Sequence, residues 1–369
     1  MSTTNGIIGK SVKRVEDKRF ITGHGHYTDD IILPRQTYAI FVRSHYAHAK
    51  ILDIDTAAAR TMPGVIAIYT GADVAHINGV PCGWQVNFKN GDIMKEPKHP
   101  LLVADKARHV GDGVAIVIAE SKEEATEAAQ AIHVEYEELP CVVDAYKAVQ
   151  PGAPLVHDDV PANTSFDWAL GNPLEEVNAA LSASAHVTTL EFVNQRMVPN
   201  AIEPRSYNSS YDPSTEKYTL YTSSQNPHLI RLLMCAFVLG IPEHKVRVVS
   251  PDVGGGFGSK IFHYAEEALL TWCSGKIGRP IKWTAERSES FVTDAHGRDH
   301  VTKAEMGFDK NGMITALRVK TYANLGAYLS TLGPCIPTWL HGVLHSPVFP
   351  GLSSVPLHNY RCHIVMLPV

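Results

Sequence analysis

A chain of the α+β class (mixed α/β), folded as two domains, is what the sequence predicts, and three observations lead there. Its 369 residues exceed the size at which one hydrophobic core usually stops growing. Residues 1–148 alternate strand-like and helix-like segments, whereas residues 166–340 hold mostly short strands with two helical patterns. Between them, residues 149–165 carry Pro151, Pro154 and Pro161 with the turn residues Gly152 and Asn163, the composition of a linker.

The elements follow in order. Tyr38–Ser44 and Val65–Tyr69 are rich in β-branched and aromatic residues and are bounded by Pro and Gly, as strands are. Gly113–Ala119 (GVAIVIA) is an almost unbroken apolar run, which suits a strand buried on both faces. Ser121 and Glu124 have the spacing of a capping box, so an Ala-rich helix is expected over Lys122–Ile132, then a strand at His133–Tyr136. Past the linker, His186–Val193 alternates in polarity and Lys217–Thr222 reads as another strand. Asn226 is an apt N-cap. Pro227 suits a first helical turn, where its missing N–H is not needed. That helix, His228–Leu239, is expected to stop at Gly240. Lys245–Ser250 reads as a strand and His263–Ser274 as a helix. Ile281–Ala285, Thr302–Phe308 and Ile314–Tyr322 read as strands, the last two joined by a hairpin turn at Lys310-Asn311-Gly312.

Composition narrows the partners. The hydrophobic fraction of 44%, the charged fraction of 19% and the net charge of −5 are ordinary for a globular protein. They provide no basic patch for nucleic acid or an anionic membrane. Met1–Lys18 lacks the apolar core of a signal peptide, and no run of about 18 apolar residues exists, so neither export nor a membrane span is expected. The six cysteines are scattered without a C-x-x-C pair. Free thiols in a reducing cytoplasm are therefore expected, rather than an iron–sulfur cluster or structural zinc within the chain. The 19 histidines show no H-E-x-x-H or other tight ligand spacing and read individually as surface or hydrogen-bonded residues.

The sharpest local signal is Gly254-Gly255-Gly256-Phe257-Gly258-Ser259-Lys260, between a strand and a helix. With few side chains in the way, such a turn can bring backbone N–H groups against a ligand, and Phe257 can wall a flat one. It is neither a P-loop, because Ser259 separates Gly258 from Lys260, nor a G-x-G-x-x-G dinucleotide turn. From chemistry alone, an empty tight turn is an equally good reading. Gln225 is the second candidate. It sits at a strand end before a helix, and its neutral amide can donate a hydrogen bond to an oxo group without adding charge. By itself, a surface or capping role is favoured. No Ser-His-Asp, Cys-His or paired-carboxylate arrangement is supported by spacing.

Taken together, these residues resemble a known family. Gln225-Asn226-Pro227 followed by Pro251-Asp252-Val253 and the glycine turn to Lys260 is similar to the molybdopterin-binding subunits of xanthine dehydrogenase, aldehyde oxidase and aerobic carbon monoxide dehydrogenase. So are Val15-Glu16-Asp17, Phe20-Ile21-Thr22-Gly23, Tyr27-Thr28-Asp29-Asp30, Val42 to Ala49, Val110 to Ala115 and Val134 to Pro140, in one consistent order over about residues 8–340. The resemblance implies an α/β-hammerhead domain (1–148) followed by the first part of a molybdenum-cofactor-binding domain (166–340). It implies that Gln225 hydrogen-bonds the apical oxo ligand of molybdenum, with no protein ligand directly on the metal. It implies that Gly255, Gly256, Phe257 and Gly258 lie against the cofactor, which in bacterial members is the cytosine dinucleotide form of molybdopterin. Partner subunits carrying [2Fe–2S] clusters and FAD are implied too, assembled as a dimer of heterotrimers. The implied reaction is oxidative hydroxylation with water as the oxygen source.

The sequence departs from the family pattern in two places. Purine-oxidising members carry a glutamate directly after the turn lysine, whereas this chain has Ile261. A purine substrate is thereby disfavoured against an aldehyde, carbon monoxide or another N-heterocycle. The second cofactor-binding region and its late glutamate base do not follow, so no catalytic residue is assigned within the chain. From about Gly342 the sequence no longer resembles the family, and residues 341–369 read as the aberrant end of a truncated frame. The competing expectation is an inactive fragment or interaction protein without cofactor. Asp294 to His300 reads more readily as a solvated loop than as a ligand contact. Lys260 is open between a cofactor or backbone contact and a surface role. Trp283 and Trp339 read as packing residues.

Overall fold

The structure, a computed structural model, describes residues 8–340 and 358–365. A seven-stranded sheet forms its centre, in the order β11 (Val246–Val249), β10 (Lys217–Thr222), β9 (Ser206–Asp212), β12 (Ile281–Thr284), β1 (Thr37–Arg43), β5 (Gly113–Ala119), β3 (Val65–Thr70). The GVAIVIA run is β5, and its apolar continuity has a direct cause. Ile116 and Ile118 enter one core cluster, while Ala115, Val117 and Ala119 enter another, and all five are fully buried. The first cluster packs Ala268, Leu269, Leu270 and Cys273 of the Ala265–Ile277 helix. The second packs Ala125 and Ala128 of the Lys122–Gln130 helix. A strand with helices over both faces has no solvated side to keep polar.

The sheet joins segments far apart in sequence. β1 runs parallel to β12, pairing Thr37 with Ile281 and Tyr38 with Lys282, so strands from both sides of residues 149–165 share one sheet. The 149–165 segment is itself tied down. Asn163 Nδ2 donates to the carbonyls of Ala148 and Pro154, both at 2.9 Å, and Asn163 Oδ1 accepts from Val156 N. A second sheet has the order β7 (Thr164–Gly171), β15 (His358–Val365), β14 (Ile314–Asn324), β13 (His300–Phe308), β8 (His186–Asn194). Most of the tail expected to be aberrant lies outside the described residues, but 358–365 form a strand pairing parallel to β14 and antiparallel to β7. A third, small sheet holds β4 (Lys106–Ala107), β2 (Ala49–Asp55) and β6 (His133–Glu138).

Local expectations mostly agree. Ser121 and Glu124 form the capping box, with Glu124 N donating to Ser121 Oγ at 3.2 Å and Ser121 N to Glu124 Oε2 at 3.0 Å. The β13–β14 hairpin turns through left-handed Gly312. Two details differ. The expected helix 228–239 is α-helical only over Pro227–Leu233 and continues as a π-helical turn, Met234–Leu239, before left-handed Gly240. Asn226 stands at the N-cap without a side-chain cap, while its N–H donates to Ser224 Oγ at 2.9 Å.

Candidate functional site

The glycine turn follows β11, where the chain must reverse before the Ala265–Ile277 helix. Its backbone is left-handed at Gly255 (φ +101°), Phe257 (φ +49°) and Gly258 (φ +94°). For the β-carbon-bearing Phe257 that conformation costs about 1–2 kcal/mol. Its ring is 76% exposed, which recovers little of that cost by burial. Such local strain concentrates where a chain meets a ligand. Gly254 N donates to Glu203 Oε2 at 2.7 Å and Gly258 N to Gln225 Oε1 at 3.1 Å. Among the described residues, nothing accepts from the N–H groups of Gly255, Gly256 or Phe257.

Gln225 and the turn therefore meet. Gln225 N donates to Lys260 O at 2.9 Å, which ties the strand end to the far side of the turn. Since Oε1 accepts from Gly258, the amide NH₂ is the end left exposed, and no described group accepts from it. A Cβ at Gly256 would lie 2.3 Å from Gln225 Oε1, so any larger residue there would have to displace the amide. A Cβ on Gly254 would lie 2.5 Å from that of Glu203. The result is a turn with three backbone N–H groups unbonded among the described residues beside one free amide NH₂, donors suited to an oxygen-rich ligand.

Lys260 is not a surface residue. It is buried, and its Nζ lies 2.8 Å from Glu203 Oε2. Burial pulls its pKa down, against the Glu203 hydrogen bond and charge. Glu203, which no spacing marked, thus clamps both ends of the turn. From the other side, Asp252 accepts from His26 N at 2.7 Å and from Arg19, holding the N-terminal segment onto the turn. Arg19 keeps the Asp252 carboxyl down at about 2.

Asp294 to His300 is only partly solvated: Gly297 and Arg298 are exposed, whereas His300 is buried where the segment enters β13. It lines a cavity of about 200 Å³ with Tyr264, His99, His109 and Tyr328. Asp294 accepts from Arg205 Nε at 2.6 Å, and Asp299 accepts from Asn324 Nδ2 at 2.7 Å. Arg205, fully buried, also bonds Tyr207, Glu266 and Thr293 and stacks 3.8 Å over the Tyr264 ring. Arg43 and Arg205 together hold the Glu266 carboxyl well below the ordinary carboxylate range against its burial. Trp283 packs, stacked at 5.1 Å on Tyr207. The side chain of Trp339 lies outside those described. Gln225 and residues 254–260 do not line this cavity, which begins just beyond them at Phe262.

Residues 156–349 match the model of the molybdopterin cofactor-binding domain, and residues 22–140 that of the aldehyde oxidase and xanthine dehydrogenase a/b hammerhead domain. The chain belongs to the xanthine dehydrogenase/aldehyde oxidase family. Within that family it comprises a hammerhead domain followed by part of a molybdenum-cofactor-binding domain. It is 34% identical to the carbon monoxide dehydrogenase large chain of Afipia carboxidovorans, over 89% of this chain and 40% of that one. It is 31% identical to the nicotinate dehydrogenase large molybdopterin subunit of Eubacterium barkeri, over 90% of this chain and 73% of that one. Among solved structures, quinoline 2-oxidoreductase from Pseudomonas putida superposes with a TM-score of 0.87 at 31% identity. That match covers 98% of this chain and 45% of the other. The chain spans about two fifths of the length of the first relatives it matches. No described helix is long and apolar enough to cross a membrane.

Proposed function

We propose that this chain supplies one wall of a molybdenum-cofactor site in a hydroxylase that oxidises an aldehyde, carbon monoxide or an N-heterocycle. The observation that carries the reading is the Gln225–Gly258 hydrogen bond of 3.1 Å, which joins the amide to a turn with three unused N–H donors. Gly255, Gly256, Phe257 and Gly258 form the face for the pterin-bound metal, and the Gln225 NH₂ is the donor toward an oxo ligand. The donor set fits, since every group offered is a neutral hydrogen-bond donor suited to oxo and phosphate oxygens. When bound, the cofactor supplies the two-electron redox chemistry. The chain's own residues orient it and place donors without adding charge. The cofactor form is the cytosine dinucleotide.

Electrons leave through [2Fe–2S] and FAD partner subunits in a cytoplasmic dimer of heterotrimers. The nicotinate dehydrogenase relative is called a large molybdopterin subunit and is spanned over 73% of its length, which supports a subunit role for a chain of this kind. Ile261, at the position after the turn lysine, gives an apolar side chain with no pairing group for a purine ring.

The test is to express the chain in a host that makes molybdopterin cytosine dinucleotide, then measure bound molybdenum and pterin. Co-purification of both, lost in Gly256→Ala but kept in a distant surface variant, is the expected result. A wild-type chain devoid of both, or equal loading in G256A, refutes the reading.

A further inference from the structure

His99, His109 and Asp112 converge on one point of the cavity wall, each offering a ligand atom within 4.8 Å of the others. His99 Nε2 lies 3.4 Å and His109 Nε2 3.6 Å from the same oxygen, Asp112 Oδ1. Both distances exceed the ordinary range of about 2.7–3.2 Å for an N–H···O bond. They are close to the roughly 3.3–3.4 Å that separates two ligands each about 2.0–2.1 Å from one tetrahedral ion.

Hydrogen bonding orients the ligand atoms. His109 Nδ1 lies 2.8 Å from the carbonyl of Val110, which can only accept, so Nδ1 carries the proton. With Nδ1 so held, Nε2 is the nitrogen turned toward the Asp112 oxygen. Asp112 is 1% exposed, and its other oxygen accepts from Arg108 N at 3.0 Å. Among the described residues, its only ion-pair partners are the two histidines. Arg43 pairs with Glu266 and Glu289, and Arg108, on whose charge Asp112 also acts, lies 3.8 Å from Asp105. Among the described residues no guanidinium or ammonium lies within ion-pair distance of this buried carboxylate, and its contacts to the two imidazoles are long, which leaves room for a closer cation. A Val110 carbonyl holding the other nitrogen of a ligating ring is the arrangement metal sites use to fix the tautomer. The His99 ring is held by stacking on Tyr328 at 4.2 Å, with 6° between planes.

We propose that His99, His109 and Asp112 bind one divalent transition-metal ion of the zinc type. Two imidazoles and one carboxylate select Zn²⁺ over Mg²⁺ or Ca²⁺, which prefer all-oxygen shells. His99 and His109 line the cavity while Asp112 lies behind them, so the fourth coordination position faces the cavity. This site is separate from the glycine turn, and its existence does not depend on the molybdenum reading.

The full chain, stripped with EDTA, is titrated with ZnCl₂ by calorimetry, with MgCl₂ as the second probe and CoCl₂ as the spectroscopic one. One tight Zn²⁺ equivalent, a four-coordinate Co²⁺ spectrum and no Mg²⁺ response are expected. His99→Ala, on a partly exposed loop side chain, and Asp112→Asn, which keeps the Arg108 bond, weaken that equivalent at least about tenfold. Even losing an outer partner of a ligand costs roughly 10–100-fold. Exposed His133→Ala leaves it unchanged. Absence of a tight equivalent in the wild type, or its survival in folded H99A and D112N, overturns the site. Molybdenum content, read separately, is not affected by either outcome.

Discussion

Glu203 and Lys260, 57 residues apart, meet in a buried ion pair of 2.8 Å whose carboxylate also holds Gly254 N. The pair sits under the glycine turn, and the second Glu203 oxygen is buried without a hydrogen-bond partner among the described residues. Removing the lysine leaves that charge uncompensated. Lys260→Met is expected to destabilise by about 3–5 kcal/mol, and Glu203→Leu added to it to restore much of the loss. Urea unfolding of the two variants measures both. Equal stability of K260M and wild type would show that the pair does not clamp the turn.

Glycines of the turn are expected to differ in their tolerance of a methyl group. Gly258 has open space around a built Cβ and only its left-handed backbone to strain, so Gly258→Ala is expected to cost about 1–2 kcal/mol. Gly256→Ala instead drives a methyl into Gln225 and must displace the amide. Melting temperatures, with hydrogen exchange at residues 225–226, separate a general loss from a local rearrangement confined to G256A.

Arg205 is bonded to Asp294, Glu266, Tyr207 and Thr293 and stacked on Tyr264. A lysine cannot reproduce that fork or the stacking. Arg205→Lys is expected to destabilise nearly as much as Arg205→Met, in the range of about 3–5 kcal/mol for an orphaned buried charge. Denaturant midpoints provide the comparison, and a near-wild-type R205K would contradict it.

Acid is expected to unfold the chain partly through His157. Burial pulls this residue down to about 4, and its Nε2 donates to Ala327 O at 2.7 Å. The unfolded chain binds that proton from about pH 6.5 downward, whereas the fold resists it until about 4. Stability present above pH 6.5 is therefore lost as pH falls through that window, up to about 3 kcal/mol. His157→Gln is expected to flatten the stability profile there. An unchanged slope would assign it to other groups.

Asp252 acts lower. Held at about 2 chiefly by Arg19, it contributes stability above about pH 3.9 that is lost as pH falls toward 2. Arg19→Gln is expected to raise the Asp252 pKa and loosen residues 19–27. Carboxylate NMR titration and amide exchange at His26, whose N–H Asp252 accepts, report the two effects.

Several features were legible because they are local. The buried β5, the Ser121–Glu124 box and the Gly312 turn each follow from residues within a few positions of one another. The glycine turn stood out for the same reason. Asn226 shows the limit of such reading. Ser224 Oγ takes its N–H, so the cap expected of its side chain is not made. Asp294 to His300 looked solvated because Arg205, its chief partner, lies about 90 residues earlier. His99, His109 and Asp112 lacked any recognised ligand spacing.

By itself, then, the sequence determined most of the elements, the family and the place of the glycine turn, because periodicity, caps and turns act over a few residues. Only the tertiary structure decided that β1 lies beside β12, that Glu203 meets Lys260, and that two histidines share one carboxylate oxygen. Those pairings depend on which apolar faces cover each other and which buried charges must find partners. Both are settled by packing across tens to hundreds of residues, where spacing along the chain carries no signal.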